Sequence, residues 1–229
     1  MIKLRHICAA TALTLGSSAA MADISANAGF VSEYIFRGFY QAESSASAGF
    51  DYEQNGFYAG TWGADLNNGL EVDLYFGYGG GDDDFSWSVG YTAYRYTEDS
   101  FDDDYDEINL GIGAGGFSLD LALGEYAGYG AKQDYTYLGL GYTLMNGTSF
   151  LLAQTDFDDV SGFPGSGADG MWVEVSHGWE VASGTELSIT FLYSPDGDDP
   201  NSTILLSQDN PYSQTALVLG ISKGFDIGN

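Results

Sequence analysis

From about residue 24 to its end the chain alternates apolar and polar residues, and turn signals cut the alternation every 8–14 residues or so. Phe117, Leu119, Leu121 and Leu123 interleave with Ser118, Asp120, Ala122 and Gly124, so one face of an extended segment is hydrocarbon and the other small or charged. The pattern predicts about twelve strands: 24–36, 44–54, 57–66, 70–79, 84–97, 105–115, 117–126, 134–144, 148–157, 171–181, 185–194 and 214–225. The connections alternate in length. Asn55-Gly56, Gly79–Asp83, Gly115-Gly116, Asn146-Gly147 and Ser183-Gly184 have the chemistry of tight hairpins. Between them lie 37–43, 65–69, 98–104, 127–133, 158–170 and 195–213, mostly longer and more polar. Short turns on one rim and long loops on the other are the signature of an up-and-down antiparallel barrel crossing an outer membrane, with both termini inside.

Face assignment follows from the parity. The predicted lipid-facing set includes Phe50, Leu74, Phe76, Phe85, Trp87, Ile108, Leu110, Leu138, Leu140, Val175, Trp179, Leu187, Leu217 and Leu219. The alternate positions carry Glu33, Asp51, Glu71, Asp73, Glu107, Asp120, Gln154, Asp156 and Glu174. A charge on the lipid face costs about 2–4 kcal/mol at mid-membrane, so confinement of charge to one parity marks that parity as the wet one. Aromatics near strand ends (Phe85, Trp87, Trp179, Phe191, Tyr193) fit interfacial girdles.

Two features sharpen the class. Residues 1–22 have a basic start (Lys3, Arg5, His6), an apolar stretch and an Ala20-Met21-Ala22 cleavage pattern, which predicts a cleaved export signal before a single domain, 23–229. The rest of the chain has no cysteine, hence no disulfide. Beyond the signal, four basic residues (Arg37, Arg95, Lys132, Lys223) face 33 acidic ones, a formal charge of −29. Such a field repels nucleic acid and attracts cations.

The segment Val31-Ser32-Glu33-Tyr34-Ile35-Phe36-Arg37-Gly38 resembles the opening motif of the TorF porin family of proteobacteria. Gly56-Phe57-Tyr58-Ala59-Gly60-Thr61-Trp62 and Glu71-Val72-Asp73-Leu74-Tyr75-Phe76-Gly77-Tyr78 are similar to later pieces of it, in order. The resemblance covers residues 24–110 best; it departs at Glu33, where Asp is usual, at Phe39-Tyr40, and at Thr97. It implies an outer-membrane barrel and a channel, and names no solute.

Candidate chemistry is sparse. Arg37 closes predicted strand one on the parity of Glu33, where its guanidinium either shapes a pore mouth by pairing with lumen carboxylates or holds the first loop. Arg95 and Lys223 are expected to reach headgroups from the lipid-side parity. His177 has Val175 and Trp179 as same-face neighbours, an interfacial setting rather than a catalytic one. The acidic clusters Glu98–Glu107, Asp156–Asp159 and Asp196–Asp199 are assigned to the outer rim as solvated loops, with Ca²⁺ or Mg²⁺ bridging to lipopolysaccharide as the functional alternative. None has the spacing of an EF-hand, and no enzyme, cofactor or metal centre is expected.

The expected activity is that of a narrow acidic channel for small solutes or ions, preferring cations. The pore-lining set is Glu33, Arg37, Asp51, Glu71, Asp73, Glu107, Asp120 and Glu174. Its partners are outer-membrane lipid, lipopolysaccharide and the permeating solutes. A non-conducting barrel that presents acidic loops and a secreted soluble β-protein are the rival readings.

Overall fold

Strands patterned with period two need a partner on each edge, and here sequence neighbours supply them. The structure, a computed structural model, describes residues 23–82, 84–98, 103–128, 130, 132–162, 167–195, 206 and 214–227. In chain order the strands are β1 (Asp23–Val31), β2 (Tyr34–Phe36), β3 (Phe39–Ala42), β4 (Ser45–Gln54), β5 (Phe57–Asp65), β6 (Leu70–Gly81) and β7 (Phe85–Tyr96). They continue as β8 (Tyr105–Ala114), β9 (Phe117–Tyr126), β10 (Gln133–Thr143), β11 (Thr148–Phe157), β12 (Ala168–Ala182), β13 (Thr185–Tyr193) and β14 (Thr215–Asp226). β1 and β4–β14 form a closed antiparallel barrel of twelve strands, and β2–β3 is a separate two-stranded hairpin. Closure is made by β1 against β14, from Ser25 opposite Asp226 to Val31 opposite Gly220. It leaves no free sheet edge to carry unpaired backbone groups. The predicted export signal lies outside the described residues.

The tight turns form as their sequences require. Asn55 and Gly56 both take positive φ (53° and 85°), as do Gly115 and Gly116 (57° and 88°), the left-handed pair that matches strand twist in a two-residue hairpin. The turn expected at Gly79 comes later. β6 runs to Gly81, and the Asp82 carboxylate accepts the N–H groups of Asp84 and Phe85, each at 3.0 Å.

Predicted strand one, 24–36, is the main correction. β1 stops at Val31 because Ser32 caps the ladder: its N–H donates to the Leu219 carbonyl (2.8 Å) and its hydroxyl accepts the Leu219 N–H (2.9 Å). The chain then turns into the barrel, and Arg37 and Gly38, at φ 49° and 84°, make the tip of the β2–β3 hairpin. The apolar run Tyr34-Ile35-Phe36 reads like more strand, but it serves a different layer.

The outward face is a continuous apolar belt that includes Phe50, Leu74, Phe76, Ile108, Leu138, Leu140, Phe150, Leu217 and Leu219, all exposed. A belt of this extent around a closed sheet is the lipid-facing surface of a transmembrane barrel. Gln154 and Asp156 correct the parity of β11. They face outward, opposite Leu138 and Met171 and opposite Thr136 and Asp169, while Ala153 and Thr155 are buried inside. Both lie at the long-loop end of the strand, where hydrated headgroups replace hydrocarbon and a polar side chain costs little.

Leu110, Leu121 and Leu138 stand side by side on the outer face of β8, β9 and β10. Leu121→Arg should therefore destabilise the lipid-embedded barrel by about 2–4 kcal/mol in urea refolding titrations. Inward-facing Asp120→Asn should leave folding unchanged by the same measurement.

Candidate functional site

The hairpin after β1 enters the barrel from the long-loop rim and fills the upper lumen. Its tip residue Arg37 makes two parallel hydrogen bonds to Glu107 of β8, Nη1 to Oε2 at 2.6 Å and Nη2 to Oε1 at 2.9 Å. The pair is nearly sealed from solvent, at 8% and 0% side-chain exposure. The Arg37 guanidinium also lies over the Tyr137 ring (4.3 Å) and the Phe36 ring (4.9 Å), two cation–π contacts in a dry setting. Glu107 is further held by Tyr94, Tyr135 and Asn109, each donating at 2.7 Å. Five donors on one carboxylate satisfy the condition under which a buried charge is tolerated. Burial alone would pull the Arg37 pKa down, but the Glu107 charge outweighs it and the guanidinium stays charged.

The other side of the hairpin is tied by Tyr34, whose hydroxyl donates to Glu71 Oε1 at 2.7 Å. Burial, then the charges of Glu71 and Asp73, push the phenol well above its ordinary pKa, so it acts as a donor at any physiological pH. Tyr34 packs edge-on to Trp62 (5.9 Å), within a buried cluster that includes Ala42, Ala64 and Leu66.

The lumen is two-sided. Along β9–β14 its upper part holds an apolar cluster: Trp172, Tyr137, Ala153, Leu192, Ala216 and Leu206 pack together, and Ile35 of the hairpin leans on them, with the Asp120 and Glu174 carboxylates inward on the same side. Along β4–β8 it is acidic. Glu71 (1% exposed), Asp73 (9%) and Glu107 (1%) face inward there, with Asp51 below them accepting from Tyr75 and, at 3.4 Å, from Asn27. Toward the short-turn rim the inward positions become small: Ser86, Ser88, Gly111, Gly113, Ser118, Gly141, Ser188 and Gly220. Near the long-loop rim an aromatic ribbon runs from Phe39 onto Phe157 (5.8 Å), then Tyr135 (5.0 Å) and Tyr105 (5.8 Å), which stacks on Tyr126 at 4.4 Å.

Six of the eight predicted lining residues occupy inward strand positions: Asp51, Glu71, Asp73, Glu107, Asp120 and Glu174, the last accepting from Trp172 Nε1 at 2.8 Å. Arg37 reaches the lumen on the hairpin tip rather than at a strand end. Glu33 is not on a strand at all; it sits half-buried in the connection between β1 and β2. Glu107, assigned by sequence both to the lining parity and to the end of the outer acidic cluster, is the buried anchor of the hairpin. Arg95 is on the outer face, as its parity predicted, but it pairs with Asp106 (2.7 Å) and Asp104 (3.4 Å). Lys223 donates to the Ser183 carbonyl in the last tight turn, and His177 is half-buried at the short-turn rim, 3.0 Å from the Thr148 hydroxyl. Asp99, Asp102, Asp196, Asp198 and Asp199 lie outside the described residues. The aromatic ribbon carried no signal in the alternation, because inward and outward tyrosines look alike in sequence.

The family Gcw_chp, a bacterial protein family of unknown function, matches residues 16–225. No curated protein sequence matches the chain. Among solved structures, one from work on the in-meso crystallization of membrane proteins is similar at a TM-score of 0.59 and 7% identity, covering 90% of this chain and 84% of that one. The Pseudomonas aeruginosa outer membrane proteins OpdK (TM-score 0.40, 14% identity) and OprD (0.44, 13%) overlap 90% of this chain, which spans 61% and 66% of theirs.

The Arg37–Glu107 pair predicts a protease phenotype. With four basic residues after the predicted signal, trypsin has few sites, and the one after Arg37 is buried in the lumen. Removing one partner of a buried pair costs about 3–5 kcal/mol. Glu107→Gln should therefore raise the rate of cleavage after Arg37 in the folded barrel by about 10²–10⁴-fold, where cleavage tracks the open population. Mass spectrometry of the fragments reads the site directly.

Proposed function

We propose that this chain, which belongs to the bacterial family of unknown function Gcw_chp, is an outer-membrane channel whose narrow acidic lumen passes small solutes or ions and prefers cations. The observation that carries the reading is the charge of the lumen wall. Asp51, Glu71, Asp73, Glu107, Asp120 and Glu174 all project inward, and among the described lumen residues the one basic group is Arg37, already spent on Glu107. Fixed carboxylates in a confined path concentrate cations and exclude anions. The inward residues toward the short-turn rim are small, as a path for water and solute needs, and the hairpin lies above them. The acidic loops add to the field at the entrance. The resemblance of residues 31–38 to the TorF porin motif supports the same activity and a Gram-negative outer membrane as its setting.

A second reading has an observation of its own. The hairpin and the Trp172–Leu206 cluster fill much of the upper lumen, as they would in a barrel that conducts nothing and presents its acidic loops to partners.

Planar-bilayer recording in an asymmetric salt gradient separates the two. A cation-selective reversal potential is expected, and Glu71→Gln with Asp73→Asn should move it toward zero. Raising the salt to 1 M, where the Debye length falls to about 3 Å, should weaken the preference too. A channel indifferent to both changes would place its selectivity in the loops, and absence of current would leave the closed barrel.

A further inference from the structure

The carboxylate that fastens the hairpin tip sits in a cradle that the barrel wall builds by itself. Glu107 accepts from Tyr94 of β7, Asn109 of β8 and Tyr135 of β10, and Tyr137 of β10 supplies a ring face 4.3 Å from the bound guanidinium. All of these are barrel-strand residues. The hairpin brings the occupant, the Arg37 head group, and one further ring, Phe36 at 4.9 Å. Such a wall suits a planar cation. Two parallel N–H donors match the fork of a carboxylate, the flat face stacks on a phenol ring, and the group is weakly enough hydrated to enter a buried site. A hard metal ion asks for many oxygens, whereas Glu107 is already accepting from its three wall partners.

Arg37 fills this cradle imperfectly. It takes φ 49° at the first position of a two-residue turn, the position that Asn55 holds at 53° in the tight turn between β4 and β5. Asparagine is at home in the left-handed region there, and a long side chain adopts it at a cost, so turn chemistry does not account for the arginine. Its Nε is buried with no hydrogen-bond partner among the described residues, and so is the hydroxyl of Thr155, the cross-strand neighbour of Tyr137. A buried donor left unpaired is costly. A free guanidinium has no backbone to strain and can turn its remaining N–H edge toward an acceptor. We propose that the Glu107 cradle is a binding site for alkylguanidinium cations, that Arg37 is its tethered occupant, and that a guanidinium solute entering from the long-loop side displaces the tip of the hairpin. The proposal rests on the channel reading for what the site serves, since it names a class of solute.

The probe is ethylguanidinium, the part of the side chain that Arg37→Ala removes, added to the full refolded barrel in detergent with no current measured. Calorimetric titration of Arg37→Ala should show one saturable equivalent. It should be absent with tetramethylammonium or K⁺ at equal ionic strength, and absent from the Arg37→Ala, Glu107→Gln double variant. The wild type should bind more weakly by about tenfold or more, because a tethered competitor has to leave first. In the wild type the same probe should speed chymotryptic cleavage after Phe36 and Phe39 by about tenfold or more, saturating with concentration, where cleavage tracks the open population. Chymotrypsin reads the hairpin without competition from the probe, since its specificity pocket is hydrophobic. Mass spectrometry identifies the fragments, and faster migration on unboiled gels checks folding. If Arg37→Ala does not fold, the wild-type cleavage decides alone. No binding by folded Arg37→Ala, binding that survives Glu107→Gln, equal binding of tetramethylammonium, or wild-type cleavage indifferent to the probe would each overturn the proposal. A barrel that responds to ethylguanidinium and passes no current keeps this site and loses the channel; a cation-selective barrel that ignores the probe does the reverse.

Discussion

Closing a sheet on itself fixes everything else about this molecule. Each strand has two faces and the belt of hydrocarbon claims one of them, so polar groups at mid-strand depth go inward. The lumen then has to accommodate charges, rings and a hairpin in a small cross-section. Glycine on the wall is how it does so. Tyr75 lies across Gly60, Tyr58 across Gly77 and Gly90, and Tyr135 across Gly124, so closely that a Cβ at those glycines would sit 2.2–2.6 Å from the phenol. The abundance of glycine and tyrosine, 33 and 17 residues, is thus one packing solution: large inward rings laid flat against a wall stripped of side chains.

The hairpin uses that arrangement. It is held at three places, by Arg37 on Glu107, by Tyr34 on Glu71, and by Ile35 against the apolar side. Two of the three are buried, hydrogen-bonded carboxylates on the β6–β8 wall, and the third is hydrocarbon. Polar anchors bind tightly only while satisfied, because a stranded buried charge costs more than the bond contributed. The hairpin's position is therefore set by polar anchors as well as by packing. The apolar contact on the opposite side acts as a bearing surface.

Much of this was legible in the sequence. Strands β4–β14 fall within a few residues of the alternation, because lipid punishes a misplaced charge enough to keep the pattern clean. The inward parity of Glu71, Asp73, Glu107 and Asp120 followed from the same rule. The alternation misled where lipid exerts no penalty. Gln154 and Asp156 lie at the hydrated end of β11, so their outward position left no trace in the pattern. Residues 34–42 pack against lumen side chains on several sides, and a hairpin in that setting has the same apolar look as a strand. The Arg37-Gly38 pair was the available signal for it, since glycine after a polar residue inside an apolar run marks a turn. The partner of Arg37 could not have been found from pattern, because Glu107 is seventy positions away and joined only by the curvature of the wall.

The placement of the four cations explains why the acidic wall remains acidic. Arg95 and Lys132 lie at the long-loop rim against Asp106 and Glu125, and Lys223 closes the last tight turn. Among the described residues that leaves one guanidinium in the lumen, and it neutralises the carboxylate that fixes the hairpin. The chain uses that guanidinium to fix the hairpin on Glu107. Glu71 holds the other side of the same hairpin through Tyr34, so neighbouring carboxylates of one wall share its anchoring.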